Sequence, residues 1–242
     1  MEWTDPPGTP ALDPGEAHVW RIDLRREPSE LERDRALLSE RERLRAERFR
    51  FAIHHDRYVA AHAALRSILA RYLEIAPEEI RYVLGPAGKP SLAPGVAARD
   101  LRFNLSDSGD LALCAVAEAR ELGVDLERMR RDAPVMELAE RWLAPPEAAA
   151  LRRISEAHRA AAFFACWTRK EAYVKARGGS IIRSLRTFAV TVEPGAARVE
   201  LHVHDDPGAA GQWWLGELDV APGFAAALAS EGEVRLSRFR WS

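Results

Sequence analysis

The chain has 242 residues, 47% hydrophobic and 30% charged, and its 35 basic and 37 acidic side chains leave a formal net charge of −2. That is the balance of a globular protein with one large core or two smaller ones; it excludes disordered, collagen-like and coiled-coil chains and offers no bulk attraction to nucleic acid or membrane. No apolar run reaches the roughly 20 residues of a membrane helix, and the acidic, Pro-rich start MEWTDPPGTPALDPGE is no signal peptide.

Residues 1–17 read as a loose leader, and Val19–Leu24 (VWRIDL) alternates as a strand. Residues 29–50 form a highly charged helical stretch, in one piece or two, with Arg41, Arg43, Arg45 and Arg48 crowding its second half. That pattern fits a solvated helix as well as an anion site. Residues 56–73 make an amphipathic helix with Val59, Ala63, Ile68 and Leu69 near one stripe. A turn-rich stretch, Gly85–Gly95, leaves Lys89 exposed on a loop. LRFNLSDSGDLALCAVA follows as strand, tight turn and strand, and GVDLE as a short strand. Residues 134–177 are helical, broken at Pro145-Pro146 and stopped at Gly178-Gly179. TFAVTVEP, ARVELHVH, QWWLGELDV and FAAALAS then read as antiparallel strands. DLALCAVA and GFAAALAS hint at an internal repeat, with two α+β halves meeting near Glu118–Gly123.

Cys114 and Cys166 lie in apolar runs, LALCAVA and FFACWT, so they are expected as reduced core thiols of a cytoplasmic protein, with no zinc site. Only three of the 35 basic residues are lysine: Lys89, Lys170 and Lys175. In a chain that otherwise writes arginine, each lysine suggests a place where a compact ammonium is required.

The chemistry-bearing residues fall in three segments. On an extended GVDLE strand, Asp125 and Glu127 share a face, and two adjacent carboxylates repel unless a cation joins them. An exposed acidic strand edge has the same spacing. On the helix FFACWTRKEAYVKA, Trp167, Glu171 and Lys175 stack at i, i+4 and i+8, either as a core stripe with a helical ion pair or as part of a site. Asp125, Glu127 and Glu171 together offer the hard oxygen set that suits Mg²⁺. In GKPSLAPG…LRFNLSDSG, Asn104, Ser106 and Ser108 supply polar groups beside a hairpin turn, and can serve that turn alone or a phosphate.

In chain order, GKP, FNLSDS, GVDLE and FFACWTRKEAYVKARGG resemble the Sfp-type 4′-phosphopantetheinyl transferases over about Ser39–Val190. The resemblance implies an α+β fold of two similar lobes in a pseudo-two-fold arrangement, each a helix packed on a small antiparallel sheet. The N-terminal lobe would be 1–119, with CoA phosphate and adenine contacts. The C-terminal lobe would be 120–242, with the Mg²⁺ site and the catalytic helix. It further implies coenzyme A as substrate in the cleft, Mg²⁺ on Asp125, Glu127 and Glu171, and Lys175 at the scissile phosphate. Lys89 and Pro90 would lie beside the adenine, Ser106 and Asp107 at a CoA phosphate, and Arg45 and Arg57 at further phosphate contacts. The reaction would move 4′-phosphopantetheine to a serine of an apo acyl or peptidyl carrier protein and release 3′,5′-ADP, with Glu171 as base or metal ligand and Lys175 also catalytic. A monomer is expected, with neither nucleic acid nor membrane as partner.

Two departures stand out: Asp107 where the family usually has His, and Ser180 where a further Gly is commoner. Asp107 favours the alternative of a degenerate module that binds CoA or a carrier protein without catalysis. An unrelated Mg²⁺-dependent phosphohydrolase is a third reading, should the motif match be accidental.

Overall fold

The structure is a computed structural model that describes residues 2–96, 99–130, 132–179, 185–203 and 207–241. The chain begins with strand β1 (Glu16–Asp23) and helices α1 (Pro28–Leu37), α2 (Glu40–Ala46) and α3 (Ala52–Leu73). Strands β2 (Tyr82–Leu84), β3 (Pro90–Leu92), β4 (Leu101–Ser108), β5 (Leu111–Glu118) and β6 (Leu122–Arg128) follow. Then come helices α4 (Val135–Trp142), α5 (Pro145–Arg153) and α6 (Glu156–Ala176), and strands β7 (Phe188–Val190), β8 (Leu201–Val203), β9 (Trp213–Glu217), β10 (Phe224–Glu231) and β11 (Arg235–Trp241).

The fold is α+β, and its larger sheets run β11-β1-β5-β4 and β6-β10-β9. Strand alternation explains how they stack. On β5, Ala112, Cys114 and Val116 face a core shared with Ala61, Leu65 and Ile68 of α3. Leu113, Ala115 and Ala117 point the other way, against Val124 and Leu126 of β6 and Ala226 and Leu228 of β10. The opposite face of β10, Ala227 and Ala229, packs with Phe163, Ala172 and Ala176 of α6. The layers are therefore α3, sheet, sheet, α6. Central strands β5 and β10 are covered on both faces, which is why both read as runs of small apolar residues. Cys114 and Cys166 are free and buried, and burial pushes both thiols up.

One open reading is decided and two local readings change. The charged stretch divides into α1 and α2 because Ser39 caps the second helix, accepting the Glu42 N–H at 3.3 Å while Glu42 Oε2 accepts the Ser39 N–H at 2.8 Å. TFAVTVEP shortens to β7 because Arg169 takes the Thr191 and Glu193 carbonyls at 2.7 and 3.0 Å, where a strand partner would be. Strand β11 was not foreseen. It lies parallel to β1, with Trp20 opposite Phe239, so the last strand of the expected 120–242 lobe sits in the first sheet, which is mixed rather than antiparallel. Among the described residues, no helix is long and apolar enough to cross a membrane.

Candidate active site

The site begins with a glycine. A Cβ on Gly123 would lie 2.3 Å from both the Ala172 carbonyl oxygen and the Ala176 nitrogen, so only glycine lets the α6 backbone rest directly on β6. Val124 and Leu126 enter the core between the sheets, which turns Asp125 and Glu127 toward α6. Glu171 and Lys175, one turn apart on α6, meet them.

Lys175 is the centre of this junction. Its ammonium donates to Asp125 Oδ1 and, at 3.0 Å, to Ser106 Oγ, and it lies 3.8 Å from Glu171 Oε2. Burial opposes its charge, but Asp125 and Glu171 outweigh that and raise its pKa. Glu171 is pushed up from an ordinary 4.5 to about 7, first by burial and then by the Asp125 charge, with Lys175 pulling the other way. Glu127 is raised too, by burial and by Asp125. Asp125 is 2% exposed, and its Oδ2 is buried with no hydrogen-bond partner. Crowded carboxylates, with one orphaned oxygen and two raised pKa values, fit a hard divalent cation. Among the described residues, no three His, Cys, Asp or Glu side chains already converge as a metal cage; Lys175 supplies the positive charge between Asp125 and Glu171.

The FNLSDS segment does a different job from the one expected of it. The N–H groups of Val124, Leu126 and Arg128 on β6 donate to Asn104 Oδ1 (2.8 Å), Ser106 Oγ (3.3 Å) and Ser108 Oγ (3.0 Å) on β4. Side chains thus close the edge of one sheet onto the other. Ser106 Oγ also donates to Asp125 Oδ1 at 3.0 Å, and Ser108 Oγ to Glu127 Oε2 at 3.0 Å. With one donation and two acceptances, the Ser106 hydroxyl is saturated, so in this structure it aims the carboxylate and the lysine instead of presenting a free donor to a phosphate.

Lys89 also departs from its expected exposed loop. It is half-buried, and its ammonium donates to Glu121 Oε2 (2.7 Å), the Leu122 carbonyl (3.0 Å) and the Ala176 carbonyl (2.9 Å). It ties the β2–β3 hairpin to the start of β6 and to the last carbonyls of α6, immediately after Lys175. A cavity of about 560 Å³ opens beside it, lined by Gly85, Pro90, Arg102, Phe103, Arg177 and Trp213 among others. The carboxylates and Lys175 do not line this cavity.

Arg45, Arg57 and Asp107 stand apart from the junction. Asp107 is exposed on β4, on the face opposite Ser106 and Ser108. Its charge is felt by His62 of α3, whose pKa is lowered overall, burial outweighing the nearby acids. Arg57, expected at a CoA phosphate, donates from its Nε to Asp110 Oδ1 at 3.1 Å, because the Gly109-Asp110 turn presents that acid to the second turn of α3. Arg45 is exposed on α2 with its guanidinium 5.8 Å from the Phe49 ring centre. Ser180 lies outside the described residues.

The scarce lysines prove to be alike: each is an ammonium held among several oxygens. Lys170, fully buried, donates to both Glu147 oxygens at 2.8 Å and to the Phe188 carbonyl at 2.6 Å. Sequence reasoning marked Lys170 only by the scarcity of lysine and assigned no role to Glu147 or Gly123. A glycine inside a strand pattern was the available signal for Gly123; nothing in the sequence paired Lys170 with Glu147.

Comparison with known proteins bears on this arrangement. A profile of the 4′-phosphopantetheinyl transferase superfamily matches residues 121–229, and one of the 4′-phosphopantetheinyl transferase N-terminal region matches residues 25–119. The two segments meet at the β5–β6 turn. The chain is 40% identical over 192 residues to 4′-phosphopantetheinyl transferase HetI of Nostoc sp., covering 79% of this chain and 81% of that one. It is 30% identical to 4′-phosphopantetheinyl transferase psf-1 of Bacillus pumilus, over 77% and 78% of the two chains. It is 25% identical to 4′-phosphopantetheinyl transferase Sfp of Bacillus subtilis, over 82% and 84%.

Proposed function

The chain belongs to the 4′-phosphopantetheinyl transferase superfamily, and from that premise we infer that it transfers the 4′-phosphopantetheine of coenzyme A to a carrier-protein serine at the Asp125–Glu171–Lys175 junction. The observation that carries the assignment is Lys175, an ammonium joining β4, β6 and α6 through Ser106, Asp125 and Glu171. A module that only bound CoA or a carrier protein has no need of a carboxyl near neutrality beside such a lysine.

The serine Oγ attacks the β-phosphorus of CoA. A P–O bond to serine forms, the bond to the 5′-phosphate oxygen of 3′,5′-ADP breaks, and the serine proton must leave. Glu171 is the base: at about 7, its pKa lies where a group both stays ionised near neutral pH and still takes up a proton. Lys175 donates to the oxygen that gains charge as the bond breaks. Ser106 and Asp125 hold Lys175 in place, and Ser108 holds Glu127. Asp125, Glu127 and Glu171 would hold Mg²⁺, which when bound neutralises pyrophosphate charge. The cavity beside Lys89 and Pro90 takes the nucleotide end of CoA; its aromatic walls, Phe103 and Trp213, and its arginines, Arg102 and Arg177, support that placement. Residues 1–119 share the nucleotide contacts with Arg177 and Trp213 of 120–242, and 120–242 carries the metal and catalytic groups, with β11 returning to the first sheet.

The cation is tested by its competition with protons. Glu171 holds its proton more tightly folded (about 7) than at its ordinary 4.5, so without divalent ions its contribution to stability falls as pH rises through that window. Mg²⁺ should therefore raise the melting temperature clearly at about pH 8 and much less at about pH 5.5. Glu171→Gln should flatten that difference. An equal Mg²⁺ shift at both pH values in the unmodified protein would contradict the assignment.

A further inference from the structure

The last turn of α6 is closed almost entirely by its own chain. Gly178, at φ +61°, turns the backbone over the helix end. The Arg177 N–H then reaches the Tyr173 carbonyl at 3.1 Å, the Gly179 N–H the Val174 carbonyl at 3.0 Å and the Gly178 N–H the Lys175 carbonyl at 3.1 Å. The Ala176 carbonyl is left over, and the Lys89 ammonium takes it at 2.9 Å. A cation there also suits the negative end of the helix dipole. The lysine stem runs along the glycine turn: a Cβ on Gly178 would lie 3.8 Å from Lys89 Cδ.

The same ammonium holds the start of β6, through Glu121 Oε2 at 2.7 Å and the Leu122 carbonyl at 3.0 Å. Leu122 and Ala176 flank the backbone contact of Gly123 with α6. Asp125 lies two residues beyond Gly123, and Lys175 one before Ala176, so the clamp sets the offset between that carboxylate and that ammonium. Glu121 is held on its other oxygen by Arg102 Nη1 at 2.7 Å, which ties in β4, the strand that carries Ser106. An ammonium has three N–H donors, and three oxygens occupy those of Lys89. It stands in the wall of the cavity, 19% exposed, with no donor left for a phosphate or a base.

We propose that Lys89 is a positioning residue for the transfer: it pins the end of α6 to the start of β6 and thereby holds Glu171 and Lys175 against Asp125, which rests on the transfer reading for what the junction does. Lys89 borders the nucleotide cavity without being a ligand in it. Three oxygens converging on one point call for a compact ammonium, because a planar guanidinium spreads its donors in a fixed fork.

The test compares Lys89→Met, Lys89→Arg and Glu121→Gln with the unmodified protein in three measurements: kcat for modification of an apo acyl carrier protein, calorimetric affinity for 3′,5′-ADP, and amide hydrogen exchange at the end of α6. Lys89→Met should lose about a hundredfold in kcat, the cost of misplacing a reacting group by about 1 Å, while 3′,5′-ADP affinity stays within about threefold. Its Gly178 and Gly179 amides should exchange faster. Lys89→Arg keeps the charge and should fail in the same way. Glu121→Gln keeps the ammonium but weakens its acceptor, and should lose about tenfold in kcat without weaker 3′,5′-ADP binding. It decides the matter if Lys89→Met does not fold. Full kcat in Lys89→Arg or in Glu121→Gln would overturn the proposal. So would a loss in Lys89→Met confined to 3′,5′-ADP affinity, which would make Lys89 a nucleotide ligand. If the unmodified protein transfers nothing, the transfer reading falls and exchange decides: faster exchange at the end of α6 in Lys89→Met supports the clamp, and unchanged exchange overturns it.

Discussion

Replacing Glu171 by glutamine should lower kcat by about three orders of magnitude, the middle of the range for losing a positioned general base. The amide is nearly isosteric and can still accept from Lys175, so the junction keeps its shape. It has no basic site for the serine proton. Its charge is also lost to any cation, so excess Mg²⁺ separates the two roles: restored rate marks a ligand, and a rate that stays low marks a base. The pH profile gives an independent sign. The base must be deprotonated, so activity should fall as pH drops below about 7, with the midpoint displaced lower when a cation favours the carboxylate. A variant within tenfold of the unmodified rate at saturating substrate would remove Glu171 from the chemistry.

Lys170→Met should cost about 3–5 kcal/mol of folding stability, the usual penalty for leaving one partner of a buried ion pair alone. Glu147 is 2% exposed and serves three elements at once. Its oxygens accept the Ala144 N–H at 2.8 Å and the Val190 N–H at 2.7 Å, and both bind Lys170. Burial pulls the Lys170 pKa down despite Glu147, so the pair is not strongly stabilising in itself. The loss in the variant comes from the stranded carboxylate. Adding Glu147→Met should therefore recover part of it, but not all, because two backbone donors then lose their acceptor. Denaturant unfolding measures both steps, and a single variant within about 1 kcal/mol of the unmodified protein would contradict this account.

The elements that position the site were legible because their signals are local. FNLSDSGDLALCAVA announces β4, a glycine turn and β5; GVDLE and the stripe Trp167, Glu171, Lys175 announce β6 and α6, with Gly178-Gly179 as the stop. What stayed hidden depends on which elements meet. The side chains of Asn104, Ser106 and Ser108 look available along the chain, yet they satisfy the edge of β6, a strand some 20 residues on. Lys89 looks like a loop cation until Ala176, 87 residues away, is seen to present its carbonyl. Arg57 looks free for a phosphate along the chain, yet it pairs with Asp110 of the β4–β5 turn, 53 residues on. Strand β11 pairs with β1 across the whole chain, and nothing near it in sequence marks its parallel partner. The scarcity of lysine carried further than its simplicity suggests: all three ammoniums are enclosed by oxygens, where a wider guanidinium would not fit the same hydrogen bonds.

The central claim is that the Asp125–Glu171–Lys175 junction performs the transfer. Its most direct test is the intact mass of an apo acyl carrier protein after incubation with CoA, Mg²⁺ and either the unmodified protein or Lys175→Arg. The unmodified protein should add one phosphopantetheine to the carrier serine and release an equal amount of 3′,5′-ADP. Lys175→Arg, planar and unable to seat between Ser106 and Asp125 as the ammonium does, should leave the carrier almost entirely in its apo mass while still binding CoA. A carrier converted equally fast by both proteins, or by neither, would contradict it.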